Sequence, residues 1–156
     1  MTAIHSMITA LALAFVFPAA AGAATTDPEV IIYRFPGVRD NGAGTNTGVA
    51  TVFHCTNFSG VTESLRFVTR DFDNTIKSNT VVPIDHLGTL TFATHVTNAY
   101  NDGSLATGAV SQGTTAIAAT SINIICTAMT IDASTVAPVG VALRGIRFSP
   151  VPGSQE

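Results

Sequence analysis

The chain has 156 residues, of which 46% are hydrophobic and 11% charged, and its formal net charge is −3. That composition fits one folded domain and excludes a disordered tail. The seven basic residues, Arg34, Arg39, Arg66, Arg70, Lys77, Arg144 and Arg147, form no dense run. A nucleic-acid partner therefore has no electrostatic footprint here.

Residues 1–23 contain no Asp, Glu, Lys or Arg, and Met7 to Phe17 is an apolar run closed by Pro18. Ala21-Gly22-Ala23 fits the small-x-small rule, which predicts a signal peptide over 1–23, with cleavage between Ala23 and Ala24. The apolar run falls short of the roughly 20 residues that span a bilayer, so no membrane span is expected after cleavage. The segment before it lacks Lys and Arg, and a retained anchor or a buried helix are the alternatives. The remaining domain, 24–150, is large enough to bury roughly two-thirds of its unfolded surface; 151–156 reads as an exposed tail. Both cysteines, Cys55 and Cys126, lie in that domain. An even count in an exported chain reads as a disulfide, here closing a loop of about 70 residues. Two free buried thiols are the alternative.

The domain is rich in Thr, Val, Ile, Phe and Gly, and short alternating runs are separated by turn residues, the pattern of an all-β protein. The first strand is Glu29 to Phe35, ended by Pro36-Gly37, with a flexible loop over 39–48. The second, Val49 to Asn57, places Phe53 and Cys55 on one face and Ala50, Val52 and His54 on the other. Asn57 to Gly60 is a turn. The third strand, Glu63 to Arg70, points Leu65 and Phe67 inward and Arg66 and Arg70 outward. Asp71-Phe72-Asp73-Asn74 is a hairpin turn. Thr75 to Pro83 is a weaker fourth strand. Thr89 to His95 is a fifth, with Leu90 and Phe92 inward. Asn101-Asp102-Gly103 marks a turn, and 104–114 reads as irregular, mobile backbone. Ser121 to Asp132 is apolar on both faces, so a second covered face is expected. The last strand, Gly140 to Phe148, changes inward phase at Gly145, which a β-bulge there would reconcile. About seven strands predict one antiparallel β-sandwich, with a β-barrel as the alternative. Cys55 and Cys126 would point between the two sheets and staple them, ringed by Phe53, Leu65, Phe67, Leu90, Phe92, Ile122, Ile124 and Leu143.

The segments His54-Cys55-Thr56-Asn57, Cys126-Thr127-Ala128-Met129 and Ala142 to Pro150 resemble an uncharacterised group of small exported bacterial proteins with one cysteine pair. The likeness runs from about Gly48 to the C-terminus. It implies an exported bacterial origin and carries no known activity.

Chemistry-bearing residues are sparse. Asp71, Asp73 and Asn74 offer alternating oxygens, which can hold Ca²⁺, but no closing Glu follows, and Asx residues are ordinary in hairpin turns. No metal or other cofactor is therefore expected. His54, His86 and His95 lack a Gly-x-Ser-x-Gly or His-Glu-x-x-His context and read as surface histidines. Asn57-Phe58-Ser59 matches the glycosylation sequon, a short motif frequent by chance. No catalytic residues are assigned. The function expected is that of a secreted or periplasmic, non-enzymatic binding or structural domain, contacting a protein partner through loops 36–48 and 96–114. A hydrolase assembled from the histidines and a nearby Asp, or a surface subunit pairing through the edge strand Glu29 to Phe35, are the alternatives.

Overall fold

The computed structural model describes residues 30–100 and 102–148. The signal peptide expected over 1–23, the cleavage site expected between Ala23 and Ala24, and the 151–156 segment lie outside the described residues. Among the described residues ten strands follow in order: β1 (Val30–Asp40), β2 (Val49–Asn57), β3 (Glu63–Arg70), β4 (Ile76–Ile84), β5 (Thr89–Ala93), β6 (Gly103–Ser104), β7 (Val110–Ala119), β8 (Ile124–Asp132), β9 (Val141–Leu143) and β10 (Ile146–Arg147). They form two five-stranded sheets, ordered β10-β1-β7-β3-β4 and β6-β5-β2-β8-β9. All pairings are antiparallel except β5 with β6. Among the described residues each sheet has two open edges, so the protein is an all-β sandwich and not a closed barrel.

The strands with large alternating residues fall where the pattern puts them. In β3, Leu65 and Phe67 are fully buried, while Arg66 and Val68, on the opposite phase, are half-exposed. β2 is buried on both faces. Phe53 and Cys55 enter the space between the sheets. Ala50 and Val52 join Ala93, Ile131 and Ala133 in a second, smaller core, packed by Tyr100 and Met129. That second core covers Met129 and Ile131 on the other apolar face of β8, while Ile125 on the same face stays 49% exposed, so the cover expected there reaches only half of the strand.

The disulfide is formed, but it does not bridge the sheets. Cys55 and Cys126 face each other directly on β2 and β8 of one sheet, with Cα atoms 4.2 Å apart. That is the close spacing of a non-hydrogen-bonded antiparallel pair. The bond thus pins the β2–β8 register, while its sulfurs point into the core. Aromatic rings couple the sheets instead. Phe35 on β1 meets Phe53 on β2 at 5.8 Å, Phe53 meets Phe67 on β3 at 6.0 Å, and Phe67 meets Phe92 on β5 at 5.4 Å. The rings alternate between sheets, and each close pair adds about 0.5–1.5 kcal/mol beyond its burial.

Four expectations need correction. Pro36-Gly37 does not end β1: Pro36 lacks an N–H, Gly37 takes φ +83°, and the register shifts there before Val38 and Asp40 turn inward again. Residues 110–114 are not irregular; they open β7, a ten-residue strand between β1 and β3. Its inward residues are Thr115, Ile117 and Ala119, all fully buried, and its outward ones are Thr114, Ala116 and Ala118. Small residues on both phases hide the alternation. Ile122 is 44% exposed, on the connection before β8, and lines no part of the core. Finally, Gly145 is no bulge. β9 pairs with β8 in one sheet and β10 with β1 in the other, so the chain changes sheets at Arg144-Gly145. A Cβ on Gly145 would sit 2.4 Å from the Phe35 ring, which is why only glycine passes there.

Candidate functional site

One end of the sandwich gathers the two loops singled out from the sequence. Asp40, the last residue of β1, turns inward with its side chain only 1% exposed. Its Oδ1 accepts the Gly42 N–H at 2.7 Å, and its Oδ2 lies 2.7 Å from His95 Nδ1 and 3.4 Å from the Thr107 hydroxyl. His95 Nε2 donates to the Thr47 carbonyl at 3.0 Å. Asn46 N–H reaches Val96 O at 2.8 Å, and Thr107 N–H reaches Thr94 O at 3.0 Å. Loops 41–48 and 94–109 are therefore stitched to one another around a buried carboxylate. Asn98 N–H adds the 133–140 segment by bonding Ala133 O at 2.9 Å.

The Asp40–His95 pair has the outline of a catalytic dyad without its working geometry. In such a dyad the imidazole nitrogen remote from the carboxylate faces a nucleophile. Here that nitrogen faces a main-chain carbonyl, and the nearby hydroxyl, Thr107, sits on the carboxylate side. Both ring nitrogens meet oxygen acceptors, so the ring is a clamp between β1, the 41–48 loop and the residues after β5. A surface position for His95 is thus corrected: its side chain is 12% exposed.

The other histidines lie elsewhere. His54 sits on the outer face of its sheet, with Nδ1 2.9 Å from Thr91 Oγ1 and its ring edge-on to Tyr100 at 4.8 Å. Burial under Tyr100 pushes its pKa below the usual histidine value, and the nearby Asp102 charge works weakly the other way. It is half-buried, not a free surface residue. His86 is exposed at the opposite end, where its Nδ1 accepts the Gly60 N–H at 3.0 Å. The three histidines occupy one end, one face and the other end, and no two share a site.

Asp71 and Asp73 stand in the β3–β4 turn as expected. Asp71 Oδ1 accepts the Phe72 N–H at 2.9 Å and both the N–H and hydroxyl of Ser111, at 3.2 and 3.3 Å. The Phe72 amide foremost holds its carboxyl below the usual range. The Thr75 amide does the same for Asp73. Asn74 takes φ +70° and turns its two oxygens to the Arg70 guanidinium, at 3.0 and 3.1 Å. These oxygens are committed to internal bonds, those of Asp73 and Asn74 within the hairpin and those of Asp71 tying the turn to the start of β7. Among the described residues no three His, Cys, Asp or Glu side chains converge to hold a metal.

Asn57 is structural. Its side chain is fully buried, donating to Val61 O at 2.7 Å and Ile84 O at 3.0 Å and accepting the Ser59 N–H at 2.8 Å. A glycan on this nitrogen would replace one of its two N–H donors and has no room at a side chain that is fully buried, so the sequon reading falls.

Beside the stitched loops runs a groove of about 500 Å³ between Pro36-Gly37, the Asp71-Phe72 turn and residues 111–114, with Arg39 on its wall. Phe72 stands 72% exposed at its rim. A second groove of about 520 Å³ lies between Thr47–Val49 and Thr130–Asp132, with Val139, 95% exposed, on its rim. The sequence patterns do not reveal either groove. At the opposite end the tight turns 57–62 and 85–88 expose Phe58, Val61 and Leu87, the last in a left-handed conformation at φ +60°. Comparison with protein-family models finds no match, and comparison with curated proteins or with solved structures finds none either.

Proposed function

We propose that this chain is an exported, non-enzymatic protein that binds a partner through the loop end of its sandwich. The observation that carries the reading is the clamp of Asp40 and His95, which fixes loops 41–48 and 94–109 on a rigid frame. Recognition concentrates on loops held by such frames. The flanking groove supports the same reading, because it combines an exposed aromatic, Phe72, with a cation, Arg39, in a concave surface. Export rests on the apolar run before Pro18 and the small residues after it, and the Cys55–Cys126 bond is compatible with an oxidising compartment.

A second reading is favoured by Leu87: an exposed leucine in left-handed backbone, beside Phe58 and Val61, marks the opposite end as a contact surface. One experiment separates the two. A photo-crosslinking residue is placed at Phe72 or at Leu87 of the exported protein and activated in cells. Adducts from position 72 alone are expected. Adducts from position 87 alone would transfer the function to the opposite end. Hydrolytic turnover by the purified protein that disappears with His54→Gln, His86→Gln or His95→Gln would replace binding with catalysis.

A further inference from the structure

Loop 41–48 opens with Asn41-Gly42, the one Asn-Gly pair in the chain. Such a pair is prone to react with itself. The glycine nitrogen, once it has lost its proton, attacks Cγ of the asparagine, and the missing Cβ leaves the approach open. Every other asparagine here is followed by a residue with a side chain.

The fold holds this pair out of the reaction. Gly42 N–H donates to Asp40 Oδ1 at 2.7 Å, and the Asp40 side chain is buried. Loss of the Gly42 proton would set one negative charge against another. Ring closure also consumes that N–H, so a buried carboxylate oxygen would lose this donor. Asn41 Oδ1 accepts the Val49 N–H at 3.0 Å and the Ala43 N–H at 3.4 Å, which ties the amide across the base of the loop. The restraint belongs to the clamp. Asp40 meets His95 through Oδ2, His95 holds Thr47 O, and the Thr47 hydroxyl bonds Ala43 O at 2.7 Å. Asn41 and Gly42 are nonetheless exposed, so water reaches them.

We propose that Asn41-Gly42 is a self-modification site, silent while the Asp40–His95 clamp is closed and reactive when loop 41–48 opens. In the open loop Gly42 N passes its proton to a solvent base and bonds to Asn41 Cγ. The Cγ–Nδ2 bond breaks, and the amide nitrogen leaves as ammonia after taking a proton back from solvent. Water then adds to one carbonyl of the five-membered ring and opens it, to aspartate or to isoaspartate. In sum one water is taken up and one ammonia is released, with no oxidant, reductant or cofactor. Isoaspartate routes the main chain through Cβ and lengthens it by one atom, which moves Gly42 N–H away from Asp40 Oδ1. The opening of this end is thereby recorded in a covalent bond and is not reversed.

The test incubates the full chain, folded and urea-unfolded, at mildly alkaline pH. Reduction and cleavage after Arg39 and Arg66 then release the peptide 40–66, which is weighed and fragmented. This peptide also carries Asn46 and Asn57, which serve as internal controls. Asn41 alone is expected to exchange its amide for a hydroxyl, with isoaspartate labelled by an isoaspartyl methyltransferase. The reaction should run at least about tenfold faster in the unfolded chain than in the folded one. His95→Ala removes one jaw of the clamp and should speed the folded-state reaction at least about threefold, because the rate follows the population of the open loop. Gly145→Ala weakens the fold away from the loop and should leave that rate unchanged. A folded chain that reacts as fast as the unfolded one overturns the proposal, and this comparison decides by itself where His95→Ala does not fold. So does a folded His95→Ala chain that reacts no faster than the wild type, equal acceleration by His95→Ala and Gly145→Ala, or reaction at Asn46 or Asn57 ahead of Asn41.

Discussion

Asn57 offers the most discriminating perturbation of the fold. Its amide nitrogen donates to Val61 O and Ile84 O, and its oxygen accepts the Ser59 N–H, all with the side chain fully buried. Asn57→Ala removes three hydrogen bonds, but the losses are unequal. Val61 O keeps the Ser59 hydroxyl at 3.0 Å. Ile84 O, on a buried residue, loses a donor, and a buried polar group left unmade costs about 1–3 kcal/mol. With the Ser59 amide included, about 2–3 kcal/mol is expected, a large share of the roughly 5–15 kcal/mol that holds a typical domain. Asn57→Asp is nearly isosteric and keeps the Ser59 bond, yet it turns a carboxylate oxygen toward two carbonyl oxygens. It must therefore destabilise more than alanine, despite being the smaller structural change. Urea titration followed by circular dichroism measures both. An aspartate variant as stable as the wild type, or more stable than the alanine variant, would refute the buried-donor geometry.

Replacing both Cys55 and Cys126 by alanine releases a loop that closes over 71 residues, and about 4 kcal/mol should disappear from the same titration. Gly145→Ala forces a methyl into the Phe35 ring at the sheet change, and a loss of about 1–3 kcal/mol with a lowered thermal midpoint is expected. Leu87→Gly relieves a left-handed leucine that is already exposed, so the midpoint should rise slightly, by the equivalent of up to about 1 kcal/mol. His54 is held uncharged by burial, so its folded pKa lies below its unfolded one and the unfolded chain binds the proton more readily. Stability is then full above the unfolded value of about 6.5 and declines as pH falls through it. Denaturation midpoints at pH 8 and pH 5 should differ less in His54→Gln than in the wild type.

How well the chain can be read from its residues depends on side-chain size. β2 and β3 are bounded correctly from Val49 to Asn57 and Glu63 to Arg70, because β3 alternates large apolar residues with polar ones and β2 is a β-branched and aromatic run closed by the Asn57 to Gly60 turn. β7 escapes notice because Gly113, Thr114, Thr115, Ala116, Ala118 and Ala119 are indifferent to which face they occupy. A strand of such residues is recognised only when its neighbours, β1 and β3, are already in place. The phase change at Gly145 is visible in the pattern, but its cause is the passage between sheets, a long-range fact. The same holds for the cysteines. Two residues leave one pairing, yet nothing local says that their strands are neighbours in one sheet. The edge expected at Glu29 to Phe35 is likewise misplaced, since β1 is flanked by β7 and β10, and among the described residues the long edge strand is β4. At the loop end, Asp40 and His95 are 55 residues apart and carry no motif. Asp40 becomes an inward-facing residue only because the register shifts at Gly37 and after Val38 reset the phase of β1.

Export and the sulfur bond are tested together by the intact mass of the protein recovered outside the cytoplasm, alkylated with and without prior reduction. The expected species begins at Ala24, takes up no alkylating reagent until reduced, and then takes up reagent at Cys55 and Cys126. A full-length species confined to the cytoplasm, or one whose two thiols react without reductant, would contradict it.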